Sequence, residues 1–431
     1  MAELKRRPRL LFLCHTMPFP PDGGIWIRTY HVLRMLSQAF DVTALCFERA
    51  ASAGADIAGQ TAAAREGLGP LVSSVEVFPI PQRHNRARFV YDHIRSIAFR
   101  RVYTTYVYES RAFQRRLGEL LDATKFDVVH ADSLDLARYL PALRNIPVAC
   151  VHIDIESSLL RRRAEVEQNP VLSAYFRYQS SRMKEVERRW CKRVTLNVAV
   201  SERDRDRILQ LAPESRVVVV PNGVDTNEFQ TADAIGDGLA FTGGTNPFPN
   251  LDALEFFAGD VLPHLRATGF RGPVRWIGRA SVEQQRDYAG RCGIDLTGYV
   301  DDVRPLLRDS ACHIVPLRVG GGTRLKILNS WAMGKPVVST SVGCEGLDAI
   351  DGENILIRDE PAAFAQALLR VLNDPALGRR LGQGGRAAVE RLYSWDVVGE
   401  RMLDAYLSLA HREPRTVVAP PLGARTDYAH R

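Results

Sequence analysis

Residues 320–338 read GGGTRLKILNSWAMGKPVV and carry the clearest structural signal of the chain. Three glycines precede Thr323, which opens a segment with apolar side chains at helical spacing. The sequence GKP at 334–336 predicts the end of this helix, and Val337 begins a further apolar run. The stretch therefore predicts a loop, a helix and a strand of a parallel α/β sheet.

The glycine loop at the start of this helix predicts an anion-binding site. Backbone N–H groups and the helix dipole favour phosphate at a helix N-terminus, where Thr323 and Arg324 lie. A Walker A loop is excluded for this stretch, because Gly334-Lys335 is followed by proline and lies at the other end of the helix. The alternative is a glycine-rich surface loop without a ligand.

Short apolar runs alternate with helical patterns along the whole chain. We predict strands in the first half at 10–14, 42–46, 75–78, 128–130, 148–153 and 196–200, and in the second half at 217–220, 239–242, 274–277, 313–315, 337–339 and 355–357. Several of these runs are apolar at every position, which suits strands that are covered on both faces. The pattern predicts an α/β protein with two tandem Rossmann-like, doubly wound domains that face a cleft.

The length of 431 residues favours two domains, because single hydrophobic cores stop growing at about 250–300 residues. The strand pattern restarts near residue 217, after a helical stretch that ends at a proline. We therefore predict an N-terminal domain at 1–215, a C-terminal domain at 216–392, a helix at 393–412 and a disordered tail at 413–431.

The composition is that of a globular, soluble protein, with 45% hydrophobic and 25% charged residues and a formal net charge of +7. Residues 83–101 contain six arginines and a single acid, Asp92, which predicts either an anionic partner or a solvated helix face. Seven cysteines without a CxxC pair indicate reduced thiols in a cytoplasmic protein. The sequence contains neither a nucleic-acid-binding module nor an apolar run long enough to span a membrane.

Two further glycine-bearing segments follow predicted strands. The stretch HTMPFPPDGGIWIR at 15–28 places Gly23 and Gly24 at the start of a helical pattern, with Arg28 one turn further on. It predicts either a phosphate-binding loop or a plain turn. The stretch TGGTNPFPN at 242–250 offers two more glycines as backbone donors. We expect its asparagines, Asn246 and Asn250, to cap the following helix, and the alternative is a ligand contact.

The segment HIDIE at 152–156 resembles a metal site of the DxD type in its spacing only. Its two alternating carboxylates have no third ligand nearby in the sequence, so we expect no metal there. For His152 we predict a polar ligand contact near the cleft, with a satisfied core histidine as the alternative. No GxSxG motif supports nucleophilic catalysis by serine.

Taken together and in chain order, six pieces of the sequence resemble the family 4 glycosyltransferases, whose two Rossmann-like domains form the GT-B arrangement. They are PPDGGIWIR, VSERDRDRI, VVVVPNGVDTNEF, LTGYVDDVRPLLRDSACHIVPL, GGGTRLKILNSWAMGKPVVSTSVGCEGL and YSWDVVGERMLDAY. The resemblance covers roughly residues 8–410 and implies a terminal helix that crosses back to the first domain. More narrowly, FTGGTNPFPNLDA together with GGTRLKIL resembles sugar transferases of bacterial exopolysaccharide gene clusters.

The resemblance implies that a nucleotide-sugar donor is bound in the cleft as a substrate, with neither a cofactor nor a metal. Backbone N–H groups at 23–24 and the side chains of Arg324 and Lys326 would hold the diphosphate, on which charge builds as the glycosidic bond breaks. The residues implied in donor binding are Gly23, Gly24, Arg28, Gly243, Gly244, Arg279, Gly322, Thr323 and Asn329, with Tyr299 and Val300 at the nucleobase. The residues implied in catalysis are Arg324 and Lys326 at the diphosphate and His152 near the transferred sugar.

Two departures from the family pattern bear on activity. The family often carries two glutamates in an E-x7-E pattern, and Gly321 and Asn329 stand at these positions here. Asn329 can hydrogen-bond a ribose hydroxyl only as a neutral amide. The family's Arg-x4-Lys pair is absent from TGGTNPFPN, so the positive charge for the diphosphate rests on Arg324 and Lys326, with Arg279 as a helper.

The resemblance implies a retaining hexosyltransferase of the cytoplasm, with a glycan or lipid-linked acceptor in exopolysaccharide or cell-surface polysaccharide synthesis. For the stretch 83–101 we predict peripheral contact with an anionic membrane, and the alternative is a core-facing helix with a solvated basic side. The missing glutamates leave open a catalytically degenerate partner protein that binds a sugar nucleotide. A sugar-nucleotide epimerase on the same fold is the third possibility.

Overall fold

The computed structural model describes residues 6–49, 57–83, 85–231, 236–245, 248–320 and 324–411. Two parallel β-sheets form its framework, one in each half of the chain. The predicted tail at 413–431 and three residues of the glycine loop, Gly321, Gly322 and Thr323, lie outside the described residues.

The first sheet contains seven of the described strands. They are β1 (Arg9–Cys14), β2 (Asp41–Phe47), β3 (Ser74–Phe78), β4 (Val128–Ala131), β5 (Val148–His152), β6 (Leu196–Ala199) and β7 (Val217–Val219). Their spatial order is β3-β2-β1-β4-β5-β6-β7, and all neighbouring strands are parallel. The order reverses between β1 and β4, so the carboxyl ends of these two strands open a crevice.

The second sheet contains six of the described strands. They are β8 (Leu239–Thr242), β9 (Val274–Ile277), β10 (Ile294–Leu296), β11 (Cys312–Val315), β12 (Val337–Ser339) and β13 (Leu356–Ile357). Their order is β10-β9-β8-β11-β12-β13, again with parallel neighbours and with a reversal between β8 and β11. The predicted pair of doubly wound parallel sheets is confirmed.

Two of the strand predictions are corrected by the sheets. Val217–Val219, which we assign to the second domain from the sequence, pairs with Leu196–Ala199 and forms the edge of the first sheet. The chain therefore leaves the first sheet only after Val219, rather than at residue 216. Ile294–Leu296 is a strand that the sequence does not predict, because its middle residue is an exposed aspartate and the apolar run is interrupted.

Helices connect the strands in both halves of the chain. Those of the first half are α1 (Gly24–Ala39), α2 (Ile57–Leu68), α3 (Arg86–Ala98), α4 (Thr104–Val107), α5 (Arg111–Ala123), α6 (Glu156–Val166), α7 (Pro170–Cys191) and α8 (Glu202–Leu211). Those of the second half are α9 (Phe248–Phe256), α10 (Leu262–Ala267), α11 (Val282–Cys292), α12 (Arg304–Arg308), α13 (Leu325–Ala332), α14 (Pro361–Asn373), α15 (Pro375–Ala388) and α16 (Trp395–Ala410). Among the described helices, none combines the length and the apolar character needed to cross a lipid bilayer.

Alternate side chains of β1 enter two different cores, so the first sheet is covered on both faces. Leu10 and Phe12 pack in the core that includes residues of α1, whereas Leu11 and Leu13 pack in the core that includes residues of α5. All four side chains are fully buried. Burial on both faces explains why this strand is apolar at every position.

The last helix, α16, packs against the first domain although it follows the second domain in sequence. Its buried side chains recur at helical spacing, and Trp395, Met402 and Tyr406 belong to the core that covers the first sheet. The hydroxyl of Tyr406 lies 2.7 Å from His130 Nδ1 on β4. The helix therefore ties the two halves of the chain together.

Arg28 on α1 holds the segment that links the two sheets. The side chain is 1% exposed, and its two terminal nitrogens donate to Val220 O at 3.0 Å, Pro221 O at 3.0 Å and Asn222 Oδ1 at 2.6 Å. Burial lowers the pKa of Arg28 to about 10, which leaves it charged at neutral pH. The prediction that Arg28 binds the donor is corrected, because oxygens of the linker occupy the guanidinium and bury it.

We expect Arg28→Leu to destabilise the protein strongly. The substitution leaves three buried oxygens without their donor, and each unsatisfied group costs about 1–3 kcal/mol. The free energy of unfolding should fall by about 3 kcal/mol or more, measured by chemical denaturation. Arg34→Leu, at an exposed position of the same helix, is the control and should leave the midpoint unchanged. Equal midpoints for the two variants would contradict the role of Arg28.

Candidate active site

The starts of two helices meet across the cleft where both sheets reverse their strand order. Helix α1 begins at Gly24 after β1, and helix α13 begins at Leu325 after β11. A Cβ atom placed on Gly24 would lie 3.8 Å from Leu325 Cδ1, at ordinary contact distance. The two glycine-bearing segments that the sequence singles out are therefore neighbours, one from each domain.

Gly23 is required by the packing of the loop before α1. A Cβ atom at this position would come within 2.7 Å of the ring of Trp26. The indole of Trp26 is itself fixed, because it donates to Thr16 Oγ1 at 3.0 Å and the guanidinium of Arg49 lies 3.6 Å from its ring centroid. No side chain caps α1, so its first N–H groups can receive an anion.

Arg324 brings a positive charge to this meeting point. It directly precedes α13, is almost fully buried and donates from Nη2 to Val342 O at 3.2 Å. Burial lowers the pKa of Arg324 to about 10, and the carboxylate of Asp154 from the first domain opposes this shift. Arg324 is therefore charged at neutral pH and lies within the electrostatic reach of both domains.

Lys326 is the second residue of α13, and its side chain points toward the second glycine loop. Its Nζ is 3.9 Å from the ring centroid of Phe241 and donates to Asn250 Oδ1 at 3.0 Å. Burial, together with the charge of Arg324, lowers the pKa of Lys326 well below its ordinary value. An anion bound beside Nζ would favour the protonated form, so this lysine is suited to respond to a diphosphate.

Close approach between backbones explains the glycines of the TGGT segment. A Cβ atom on Gly244 would lie 2.8 Å from Arg279 O, and one on Gly278 would lie 2.5 Å from Gly244 N. Gly243 has a φ of +145°, which other residues rarely adopt.

Asn250 does not cap a helix as predicted, because it lies inside α9 and its Nδ2 donates to Gly244 O at 2.9 Å. It links the loop to Lys326.

Tyr299 and Arg279 form an open platform beside this loop. The ring of Tyr299 is 56% exposed, and the guanidinium carbon of Arg279 lies 4.7 Å from its centroid. Val300 is half-buried and packs against the small core that contains Ala240. An exposed aromatic ring with an adjacent guanidinium offers a stacking surface for a nucleobase. The structure thus brings these three residues together on the side where the sequence predicts the base.

Asn329 lies half-buried on α13, one turn after Lys326. The next residue, Ser330, is buried, and its hydroxyl lies 2.7 Å from His313 Nδ1. Burial lowers the pKa of His313 to about 3, so this histidine is a neutral hydrogen-bonding partner within the core. Asn329 thus brings an uncharged amide where the family pattern has a carboxylate, and its contact with a ribose stays a prediction.

His152 ends β5 and lines a small cavity of about 70 Å³ beside the start of α1. Its Nε2 lies 2.8 Å from Asn197 Oδ1, whose amide nitrogen donates to Cys191 O at 2.7 Å. The orientation of Asn197 therefore makes Nε2 the donor and leaves Nδ1 as an acceptor. Burial lowers the pKa of His152 to about 4, so the ring is neutral. His152 is therefore hydrogen-bonded within the core through Nε2, and it also lines the cavity.

His15 lines the same cavity and pairs with a carboxylate behind it, and this pair was not predicted from the sequence. His15 Nδ1 lies 3.1 Å from Asp132 Oδ2, which also accepts from the hydroxyl of Thr29 at 3.1 Å. Burial alone would lower the pKa of His15, but the nearby carboxylate of Asp132 outweighs burial and raises it. A signal exists in hindsight, because His15 and Asp132 directly follow the neighbouring strands β1 and β4.

Four carboxyl groups also line this cavity, together with several apolar side chains. Burial raises the pKa of Asp135, Glu156 and Glu187, and it raises that of Asp154 to about 6. Carboxyl groups with raised pKa values can donate as well as accept hydrogen bonds. Within the described residues, no group of three His, Cys, Asp or Glu side chains has the geometry to hold a metal ion. The wall is suited to a hydroxyl-rich ligand.

Arg162 of α6 joins the two domains beside the glycine loop. Its two terminal nitrogens contact the carboxylate of Glu345 at 2.7 and 2.9 Å, and it also donates to Gly320 O. Arg203 of the first domain contacts the same carboxylate. The neighbouring Arg161 and Arg163 are exposed, and Arg161 pairs with Glu165.

Two family models match the chain, one in each half. The family described as Glycosyltransferase Family 4 matches residues 22–228, and the family described as Glycosyl transferases group 1 matches residues 236–374. The phosphatidyl-myo-inositol mannosyltransferase of Mycobacterium tuberculosis is 28% identical over 242 residues, which cover 53% of this chain and 63% of that protein. The D-inositol 3-phosphate glycosyltransferase of Acidothermus cellulolyticus is 30% identical over 243 residues, which cover 50% and 52%.

The matched segments thus span between half and two-thirds of the length of these relatives. Among solved structures, Anabaena HepE in complex with UDP is similar to this chain, with a TM-score of 0.63 at 14% identity. That similarity covers 93% of this chain and 100% of HepE, and it bears on the fold. The matches to both halves and the two facing Rossmann-like sheets agree with the sequence motifs, and the chain belongs to the family 4 glycosyltransferases of the GT-B fold.

Proposed function

We propose that the chain is a metal-independent glycosyltransferase that moves a hexose from a nucleotide-sugar donor to a hydroxyl-rich acceptor. The observation that carries this proposal is the proximity of Gly24 to Leu325, whose Cδ1 lies 3.8 Å from a Cβ atom placed on Gly24. It brings two helix starts and Arg324 to one place. Two helix N-termini and a buried arginine are a site for a diphosphate. The exposed ring of Tyr299 lies on the same domain as Arg324 and supports a place for the base.

The proposed chemistry depends on charge that appears on the leaving diphosphate as the glycosidic bond breaks. Arg324 and Lys326 are held before the donor arrives, so they need little reorganisation in the transition state. Both are buried, where a charge interacts more strongly than in water. In this proposal they supply the positive charge that a metal ion provides in other enzymes.

The proposed acceptor site is the cavity that His15 and His152 line. An acceptor hydroxyl could donate to the ring of His15, which Asp132 orients. The names of the two relatives, which concern phosphatidyl-myo-inositol and D-inositol 3-phosphate, support a polyol or lipid-linked acceptor.

We further propose retention of the anomeric configuration, action in the cytoplasm and a role in exopolysaccharide or cell-surface polysaccharide synthesis. Family membership and the FTGGTNPFPNLDA motif support these points.

A panel of nucleotide sugars with glycan, inositol and lipid-linked acceptors tests the proposal. Transfer should release a nucleoside diphosphate together with a glycosylated product, and the anomeric proton coupling of that product tests retention. Binding of a nucleotide without turnover would instead support the degenerate partner protein. Formation of an isomeric sugar nucleotide without release of the diphosphate would support an epimerase.

We expect Arg324→Gln to lower kcat by about 100- to 1000-fold, because a preorganised charge at the leaving group is lost. The measurement is the steady-state release of nucleoside diphosphate. Arg358→Gln is the matched control, since Arg358 lies in the same domain and pairs with Asp351. An unchanged kcat in Arg324→Gln would show that Arg324 does not stabilise the transition state.

We expect diphosphate binding to take up a proton at pH values between the pKa of free Lys326 and its pKa in the complex. Burial holds the pKa of free Lys326 well below its ordinary value, and a bound anion raises it. Between these two values binding adds a proton, so the affinity falls as the pH rises through this window. Calorimetry in buffers of different ionisation enthalpy measures the uptake. Lys326→Met should abolish it, whereas the exposed control Lys192→Met should not.

We expect His15→Gln to lower kcat by about 100-fold or more with little change in donor KM, as for loss of a general base. The raised pKa of His15 also predicts that the wild-type rate falls as the pH drops through neutrality, because a base acts in its neutral form. This acidic limb should disappear in the variant. His264→Gln at an exposed position is the control. An unchanged acidic limb in His15→Gln would exclude His15 as the base.

A further inference from the structure

Helix α3 has its polar side turned inward and its apolar side turned outward. Six large apolar side chains of the helix and its C-terminal end are between 50% and 66% exposed. They are Phe89, Val90, Tyr91, Ile94, Ile97 and Phe99. An ordinary surface helix buries such residues, so this arrangement reverses the usual rule. It also rules out the alternative drawn from the sequence, a core-facing apolar side with a solvated basic side.

A set of polar contacts fixes the helix in this orientation. Asp92 is fully buried and accepts from Arg88 Nε at 3.4 Å and Arg95 Nη1 at 3.2 Å. Ser96, also buried, accepts from Gln179 Nε2 of α7 at 3.0 Å. Arg88 and Arg95 also pair with Glu109, which lies outside the helix. Rotation of the helix to bury its apolar side would break these two ion pairs and the hydrogen bond between Ser96 and Gln179. The fold therefore stabilises α3 in the orientation in which its apolar side faces outward.

The charge around this apolar side has one sign. Asp92 is the single acid of residues 83–101, and it is buried beneath the helix. Arg83, Arg86 and Arg100 are exposed at the two ends of the helix. Two copies of the chain that met through this side would bring these arginines together without a counter-charge. An anionic lipid surface supplies both a place for the apolar side chains and the opposite charge.

The helix lies on the side of the first domain that holds the proposed acceptor cavity. Arg95 and Arg138 both contact Glu109, each at 2.9 Å, next to Tyr108. The ring of Tyr108 meets the ring of His15 edge to face, with centroids 6.2 Å apart. A short chain of contacts thus connects the inner side of α3 to the wall of the cavity.

We infer that the α3 face, formed by Phe89, Val90, Tyr91, Ile94, Ile97 and Phe99 with Arg83, Arg86 and Arg100, seats the first domain on an anionic lipid bilayer. The apolar side chains enter the boundary between headgroups and acyl chains, and the arginines contact lipid phosphates. The docking itself does not depend on the proposed function. That the bilayer presents a lipid-linked acceptor to the nearby cavity does rest on it.

Vesicle flotation of the full-length protein tests the docking. The protein should float with phosphatidylcholine vesicles that contain phosphatidylglycerol, and high salt should weaken this binding. Ile94→Ser/Ile97→Ser should lower the partition coefficient by about tenfold or more, because buried apolar area is lost. Arg83→Gln/Arg86→Gln should lower it by roughly tenfold for the anionic vesicles only.

Val282→Ser is the matched control, since Val282 is 62% exposed on α11 of the other domain. It should float as the wild type does. Absence of flotation of the wild type at low salt, or equal flotation of the α3 variants and the control, would overturn the inference. So would a concentration-dependent dimer that Ile94→Ser/Ile97→Ser abolishes, because the occupant would then be a second copy. Turnover with a soluble acceptor is measured alongside, so that a failed transferase and a failed docking face are distinguished.

Discussion

The buried guanidinium of Arg28 is the interaction on which the arrangement of the two domains depends. The guanidinium donates to three oxygens of the linker. Arg28 belongs to the helix whose first residue, Gly24, lies close to the second domain. The same helix thus carries the glycine loop and anchors the segment that positions the opposite sheet. On the far side of the linker, a Cβ atom on Gly223 would come within 2.5 Å of Trp395, so the last helix packs tightly against it. The cleft between the helix starts follows from this anchoring.

Charge in the cleft is distributed differently from the usual family pattern. The side chain of Asn329 is neutral, and the loop after β8 brings glycines in place of an Arg-x4-Lys pair. Lys326 of α13 donates to Asn250 and lies over the ring of Phe241. Its amino group is therefore beside the loop, although Lys326 belongs to a different element of the fold. Burial holds its pKa low, which couples the charge of the site to the presence of an anion.

The first domain combines two features that face different partners. Its cavity contains histidines and carboxyl groups whose pKa values are shifted by burial and by each other, as is common at sites of chemistry. Its helix α3 turns apolar side chains to the outside and keeps Asp92 inside. Both features lie near Tyr108 and Glu109, so a surface for an amphiphilic partner and a polar cavity are close together in one domain.

The sequence by itself determined the two doubly wound sheets, the glycine loops at 23–24 and 243–244, and the helix that follows residue 324. These features are local, because apolar runs, glycines and caps act over a few neighbouring residues. It did not determine which sheet holds Val217–Val219, that His15 meets Asp132, or that Arg28 turns away from the cleft. Only the tertiary structure decided these points and the outward direction of the apolar side of α3. The reason is that they depend on contacts between distant parts of the chain, such as that of Arg28 with Pro221, 193 positions away.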